Sequence, residues 1–228
     1  MTYREIVYMI LDQARLITDD ISLNEEHVLF LIDKFRAALL VQKYKSVKLE
    51  VLEDNYQTLC IDLESGDPVV GPCDELLIRS ENPIPDRLNI GNDIVSPYNY
   101  YGGINISLVP RERMRYAGYN KFLKNIIYCS IGPDGYLYFK SWNPQFAYLQ
   151  KVKVTAVFGD TVEAAKYECD SECDLMDKQF PIEEDLVPTL IEGIVKELVG
   201  AAYRPKDDSN SSSDDTDKVA NAKVNKQQ

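Results

Sequence analysis

The spacing of apolar residues changes twice along this chain, and that double change restricts the fold more than any other feature. From Tyr3 onward, apolar side chains fall at Ile6, Val7, Ile10, Ala14 and Ile17, the three-and-four spacing that lines them along one face of a helix. After the polar break at Thr18-Asp19-Asp20, a second helix is predicted to run to about Tyr44. Ser22 and Glu25 are placed to open it as a capping box, each side chain satisfying the other's free backbone N–H. From Lys45 to Phe158 the helical period is gone, and short runs rich in β-branched and aromatic residues alternate with prolines and glycines, which is a strand pattern. Helical spacing returns at Leu190, Ile191, Ile194, Leu198 and Ala202. Glu183, Glu184 and Asp185 suit the positive end of that helix's dipole, and Pro188 is tolerated in a first turn whose N–H groups lack intrahelical acceptors.

The expected class is therefore α+β, a helical core of three main helices, two N-terminal and one C-terminal, with a β-rich insertion and an extended C-terminal tail. The divisions are an N-terminal helical hairpin at 1–44, a β-rich insertion at 45–159, an acidic linker at 160–182, a C-terminal helix packing on the first two at 183–204, and a polar tail at 205–228. At 228 residues and 45% apolar composition the chain can bury about 70% of its unfolded surface.

Within the insertion, the clearest element is a hairpin. Asn125–Ile131 and Tyr136–Ser141 flank Gly132-Pro133-Asp134-Gly135, where proline presets the first turn dihedral and Gly135 can take a positive φ. A last strand is expected through Val152, Val154, Ala156 and Phe158. Between Pro83 and Tyr119 no clean period exists, and Ser96–Gly103 reads as an ordered aromatic loop of the kind that lies against a partner. The tail from Pro205 to Gln228 has no aromatic residue and is dominated by polar ones; by itself it should be disordered.

The second helix carries two apolar stripes. Val28, Leu31, Ile32, Phe35 and Leu39 form the main one, and Phe30, Ala37, Val41 and Tyr44 form another. The second stripe needs its own partner, either a third helix of the chain or a neighbouring subunit, and it is the candidate subunit-interface stripe. Fifteen tyrosines against one tryptophan suit surfaces that are soluble alone and buried on assembly. Tyr98, Tyr100, Tyr101, Tyr136 and Tyr138 are the candidate protein-contact tyrosines.

Charge narrows the partners. The formal net charge of −12 repels phosphate backbones at long range, which argues against general nucleic-acid binding. Against that background Arg111, Arg113 and Arg115, followed by Tyr116, Tyr119, Lys121 and Lys124, form one concentrated basic stretch. Contact with an acidic protein neighbour, including the 160–185 segment of an adjacent copy, ranks above a solvated surface, and that above DNA.

Chemistry finds little support. His27 is the single histidine, so histidine triads and multi-histidine metal sites are excluded by count. Cys169 and Cys173 lack a second ligand pair for a closed zinc site. Asp170, Glu172 and Asp174 imitate the opening of a calcium loop, but Leu175 and Pro181 stand where that loop needs glycine and its bidentate glutamate. No phosphate loop, serine elbow or dinucleotide fingerprint occurs. The expectation is no catalytic residue, no metal and no cofactor. Five scattered cysteines do not suggest a disulfide framework, so reduced thiols are the default. No run approaches a membrane span, and the opening residues form an amphipathic run, not a signal peptide.

Four stretches resemble a known family. They are Met1-Thr-Tyr-Arg-Glu-Ile-Val-Tyr-Met-Ile-Leu-Asp with the second helix, Arg113-Met-Arg-Tyr-Ala-Gly-Tyr-Asn-Lys-Phe, Ile126 through Ser141, and Cys173 through Pro188. Together they resemble the head-to-tail adaptor or ring proteins of crAss-like, short-tailed bacteriophages. The resemblance implies a virion structural protein, made in the host cytoplasm and placed at the head–tail junction. It implies a homo-oligomeric ring of twelve copies that contacts the portal protein and other tail or ring proteins, with DNA passing through the lumen without specific binding. It also implies a C-terminal segment that reaches along the portal. The alternative from another class is a soluble phage-encoded module that binds a host factor.

Overall fold

The computed structural model describes residues 1–17, 24–46, 50–65, 78–90, 97–100, 106–117, 120–142, 146, 148–169 and 174–202. Its five helices are α1 (Tyr3–Ile17), α2 (Glu25–Ser46), α3 (Arg111–Met114), α4 (Thr161–Ala165) and α5 (Val187–Ala202). Its seven strands are β1 (Gln57–Ser65), β2 (Ile78–Ser80), β3 (Tyr98–Asn99), β4 (Ile106–Leu108), β5 (Ile127–Ile131), β6 (Leu137–Lys140) and β7 (Lys151–Ala156). The chain is α+β, as its changes of period require.

α1 buries Tyr3, Ile6, Val7, Ile10, Leu11 and Ala14 on one face. The first five join Val28 and Ile32 of α2 and Leu190, Ile191, Ile194, Val195 and Leu198 of α5 in one apolar cluster. The start of the chain is held by the segment before α5. Thr2 bridges Gln179, the Phe180 N–H donates to the Met1 carbonyl at 2.9 Å, and the Tyr3 and Phe180 rings meet edge to face at 4.9 Å. α2 approaches α5 at Gly193, where an added Cβ would lie 2.9 Å from the Phe35 ring. The cap of α2 is Asn24, whose side-chain oxygen accepts the Glu26 N–H at 3.1 Å. The expected capping box begins at Ser22, which lies outside the described residues.

The strand order is β3-β7-β1-β2-β6-β5-β4. β1 is long enough to serve two neighbours, pairing antiparallel with β7 over Gln57–Asp62 and with β2 over Leu63–Ser65. β3 and β4 stand at opposite ends of this order, yet only seven peptide links separate Asn99 from Ile106, about 25 Å at full stretch. In a flat sheet these strands would stand about 29 Å apart, six strand spacings. The sheet must therefore curl. Its strands bury Leu59, Ile61, Ile127, Leu137, Phe139, Val152 and Val154 in one cluster, each contributing roughly 1.5–3 kcal/mol by burial.

The expected hairpin is β5–β6, with Ile131 opposite Leu137 and Gly135 at φ 79°. The expected last strand is β7, whose burial alternates residue by residue. The sheet also contains a parallel pair, β4 with β5, that no local pattern announced. The aromatic loop 96–103 is in part strand, because Tyr98 and Asn99 pair with Lys153 and Val152.

Two other expectations change. The acidic segment after Asp160 is no bare solvated linker in its described part. Asp160 caps α4 by accepting the Glu163 N–H at 2.7 Å, and Ala164, Phe180 and Ile182 are buried. The thiols are not all reduced either, since Cys60 and Cys169 form a disulfide. The fold brings them together by running residues 167–168 beside β1. Leu59 bridges Glu168, and the Cys60 N–H donates to the Tyr167 carbonyl at 2.8 Å. A separation of 109 residues hid that pairing from the sequence. The 205–228 tail lies outside the described residues.

Candidate interaction surfaces

The surfaces are positioned by a polar junction that locks the helices onto the sheet. Arg36 of α2 is fully buried. Its guanidinium donates to three carbonyls from three different segments: Pro181 at 2.6 Å, Phe158 at 2.7 Å and Asn55 at 3.0 Å. A planar fork of N–H donors is the one side chain that reaches three such acceptors at once. Burial pulls the guanidinium down to about 10, opposed by the Asp33 carboxylate, and it stays charged at neutral pH. Asp33 in turn accepts the Thr161 hydroxyl at 2.5 Å, tying α2 to the start of α4. Burial raises the Asp33 carboxyl above its usual range, an effect that the Thr161 hydroxyl and Arg36 oppose.

Glu183 completes the junction about two turns further along α2, at Lys43 and Tyr44. It is 2% exposed and accepts from the Tyr44 hydroxyl, from Asn55 Nδ2 at 2.7 Å and from Lys43 Nζ at 2.5 Å. Lys43 also reaches Asp185 at 3.0 Å, and its ammonium is held well above the usual lysine range, first by Glu183. Together Arg36 and Glu183 fix the residues that lead into α5, and so fix what α5 presents outward.

What it presents is a groove of about 530 Å³ between α1 and α5. Met1, Met9 and Gln13 form one wall, and Val187, Pro188 and Ile191 form the other, with Glu184 and Glu192 at the rim. Outward-facing Tyr8, Leu16 and Ile17 extend the apolar surface along α1. The apolar spacing that predicted α1 marked its buried face as far as Ala14 and assigned Ile17 to that face, where the structure leaves it exposed; Tyr8 and Leu16 are outside that spacing and went unnoticed.

The basic stretch occupies a different part of the molecule. Arg111, Arg113 and Arg115 lie in and just after α3 and are all exposed, while Met114 and Ala117 turn inward onto Tyr128 of β5. Tyr116 is 77% exposed and Phe122 is 84% exposed. Among the described residues none of the three arginines makes a salt bridge, nor do Lys121 and Lys124. Arg111 also lines a shallow cleft of about 330 Å³ with Arg87, Leu108 and Ile131.

The remaining candidate residues scatter. Tyr98 and Tyr100 sit at the β3 end of the sheet, and the Lys153 ammonium lies 4.9 Å from the Tyr100 ring centre. Tyr136 and Tyr138 are half-buried around the hairpin, the first beneath the Arg79 guanidinium at 5.3 Å and the second donating to Asp134 at 2.6 Å. Tyr101 lies outside the described residues. The second stripe of α2 does not form one surface. Phe30 is exposed under Lys34, and Ala37 is half-buried. Tyr44 and Val41 pack with Val51, Ile90 and Val157 of their own chain. The sequence offered a third helix or a neighbour as the partner, whereas connecting segments of the β region supply it for these two residues.

His27 is exposed on α2, and Cys169 is taken up by its disulfide. Asp174 accepts the Met176 N–H at 3.5 Å and faces Arg4 at 3.6 Å. Asp170, Glu172 and Cys173 lie outside the described residues. The described residues thus present exposed apolar and charged faces, and among them no group of three or more metal-ligating side chains is gathered.

Comparison with known proteins gives two matches. The family model described as phage tail ring protein 2 matches residues 5–216. Ring protein 2 of Bacteroides phage crAss001 is 49% identical over 221 residues, covering 94% of this chain and 98% of that protein.

Proposed function

We propose a function that proceeds from one premise: the chain belongs to the phage tail ring protein 2 family. It is accordingly a structural component of a phage virion, a ring protein of the tail. In our reading it joins the capsid portal to the tail as a head–tail adaptor, in a closed ring of twelve copies. The three long helices form the body of each subunit, the β-rich insertion meets the next tail component, and the C-terminal tail reaches along the portal.

The observation that carries this reading is the near-complete match to a ring protein, 98% of whose length aligns. The physical character of the chain agrees with it. A junction built from Arg36 and Glu183 holds helices and sheet in one orientation, as a subunit that repeats around an axis requires. Large exposed apolar groups such as Phe122 and Leu16 suit a protein whose surface is covered on assembly. A net charge of −12 suits a lumen through which DNA passes without adhering.

The test is negative-stain microscopy of the purified protein, alone and with portal protein. Annular particles are expected, and purified virions should contain the protein in fixed proportion to portal. A persistent monomer without affinity for portal overturns the reading, as does its absence from virions.

A further inference from the structure

Two exposed faces of this chain differ in charge and share no residue. The first is the α1–α5 groove, where Met9, Val187, Pro188 and Ile191 present an apolar floor and Glu184 and Glu192 a carboxylate rim. Asp185 stands beside Glu184. Two cations are close, but both are engaged: Lys43 bonds to Glu183 and Asp185, and Lys196 bonds to Glu192 at 2.6 Å. Glu184 forms no salt bridge among the described residues. The second face is α3 with the turn at Lys121–Leu123. Between residues 111 and 124 it offers Arg111, Arg113, Arg115, Lys121 and Lys124 against one acid, Glu112, with Asp134 of the hairpin turn near Arg111, and it exposes two aromatic rings, Tyr116 and Phe122.

Their positions fit a contact between copies better than a contact within one. α1 and α5 belong to the helical cluster, whereas α3 packs on β5, three places from β1 in the strand order. A ring that closes by rotation needs two such unlike patches on each subunit, one meeting the other on the next copy. Aromatic anchors entering an apolar pocket, ringed by complementary charge, are the usual form of a well-packed contact.

We infer that, in the ring, the α3 face of one copy docks on the α1–α5 groove of the next, with Phe122 and Tyr116 entering the groove and Arg113 and Arg115 facing Glu184 and Glu192. The partner is a second copy of this chain, and the inference rests on the ring reading above. A basic stretch that only met solvent would not need two highly exposed aromatic rings within it, and DNA would meet a strongly acidic protein.

Paired charge reversal tests it. R113E/R115E puts carboxylates on both sides of the proposed contact, and E184K/E192K puts cations on both sides, so each variant alone should lose annular particles. Mixed in equal amounts they should regain them, because acidic and basic copies then alternate around the ring. All four positions are exposed, and circular dichroism of each variant before mixing should match wild type. Recovery on mixing cannot come from misfolded chains, so it would establish the contact. Rings of unchanged yield from either variant alone overturn this contact while leaving the ring reading intact. Rings that persist but lose portal binding also overturn it and assign the face to portal. If wild type forms no ring, with or without portal, both readings fall together.

Discussion

Where α2 meets the sheet, the buried side chains include the polar set Asp33, Arg36, Asn55, Gln57, Thr161 and Glu183 beside a small apolar cluster of Leu40, Tyr44, Val51, Ile90 and Val157; in the core of the sheet they include the apolar Leu59, Leu137, Phe139, Val152 and Val154. The two interiors hold the same chain together by different physics. Apolar burial is non-directional, and many packings of similar volume would be nearly as stable. Buried polar groups are satisfied only at particular distances and angles, so they choose one arrangement and penalise the others. The junction therefore sets how the helices sit on the sheet, and the sheet core supplies stability without fixing that relation. For a subunit that must repeat around a ring, a few degrees of error at this junction would accumulate from copy to copy.

The sharpest way to break this contrast is Arg36→Ala. It leaves the carbonyls of Asn55, Phe158 and Pro181 buried without a donor, uncovers Asp33 and opens a void. The expected cost is about 3–5 kcal/mol in chemical denaturation. Hydrogen exchange should show α1 and α5 losing protection while β5 and β6 keep theirs. Equal loss in both regions would mean that the junction and the sheet core are one cooperative unit.

Leu137→Ala removes a fully buried side chain from the sheet core and is expected to cost about 2–4 kcal/mol, with protection lost first in the strands. Glu183→Gln keeps the shape but replaces one acceptor oxygen with a donor where Tyr44, Asn55 and Lys43 all donate. About 1–3 kcal/mol should be lost, and the loss should shrink in the Lys43→Met background, where one of those donors is already gone.

The smallest effect separates the regions by pH. The Lys43 hydrogen bond holds the Asp185 carboxyl below the usual aspartate range. A depressed carboxyl contributes stability that is present above the ordinary value near 4 and lost as pH falls through the depressed value. Asp185→Asn should flatten that part of the acid limb of the stability curve, whereas Leu137→Ala should shift the whole curve without changing its shape. An unchanged acid limb in Asp185→Asn would show that this exposed pair does nothing for the junction.

What the sequence made legible was what neighbouring residues decide among themselves. The spacing of Ile6, Val7, Ile10 and Ala14 marks the inner face of α1 because a helix repeats every 3.6 residues. Gly132-Pro133-Asp134-Gly135 makes the β5–β6 turn because its dihedrals are set locally, and Val152, Val154 and Ala156 alternate because a strand does. The basic stretch after β4 was visible because charge needs no fold to be counted. Arg36 and Asp33 were not recognised, since a charged residue on a helix reads as solvated until the fold supplies its partners. Residues 55, 158 and 181 come to Arg36 from distant parts of the chain.

The same limit explains the other surprises. Cys60 and Cys169 are paired by β1 running beside residues 167–168, and β4 lies parallel to β5 because the curled sheet leaves it that edge. Tyr44 has the spacing of a surface stripe, yet the buried carboxylate of Glu183 draws it inward. Local pattern, set by interactions a few residues apart, determined which segments became helices and hairpins and where the charge was concentrated. Tertiary structure alone decided which polar groups are buried, which cysteines meet and which apolar residues remain exposed, because each of those depends on contacts between segments far apart in the chain.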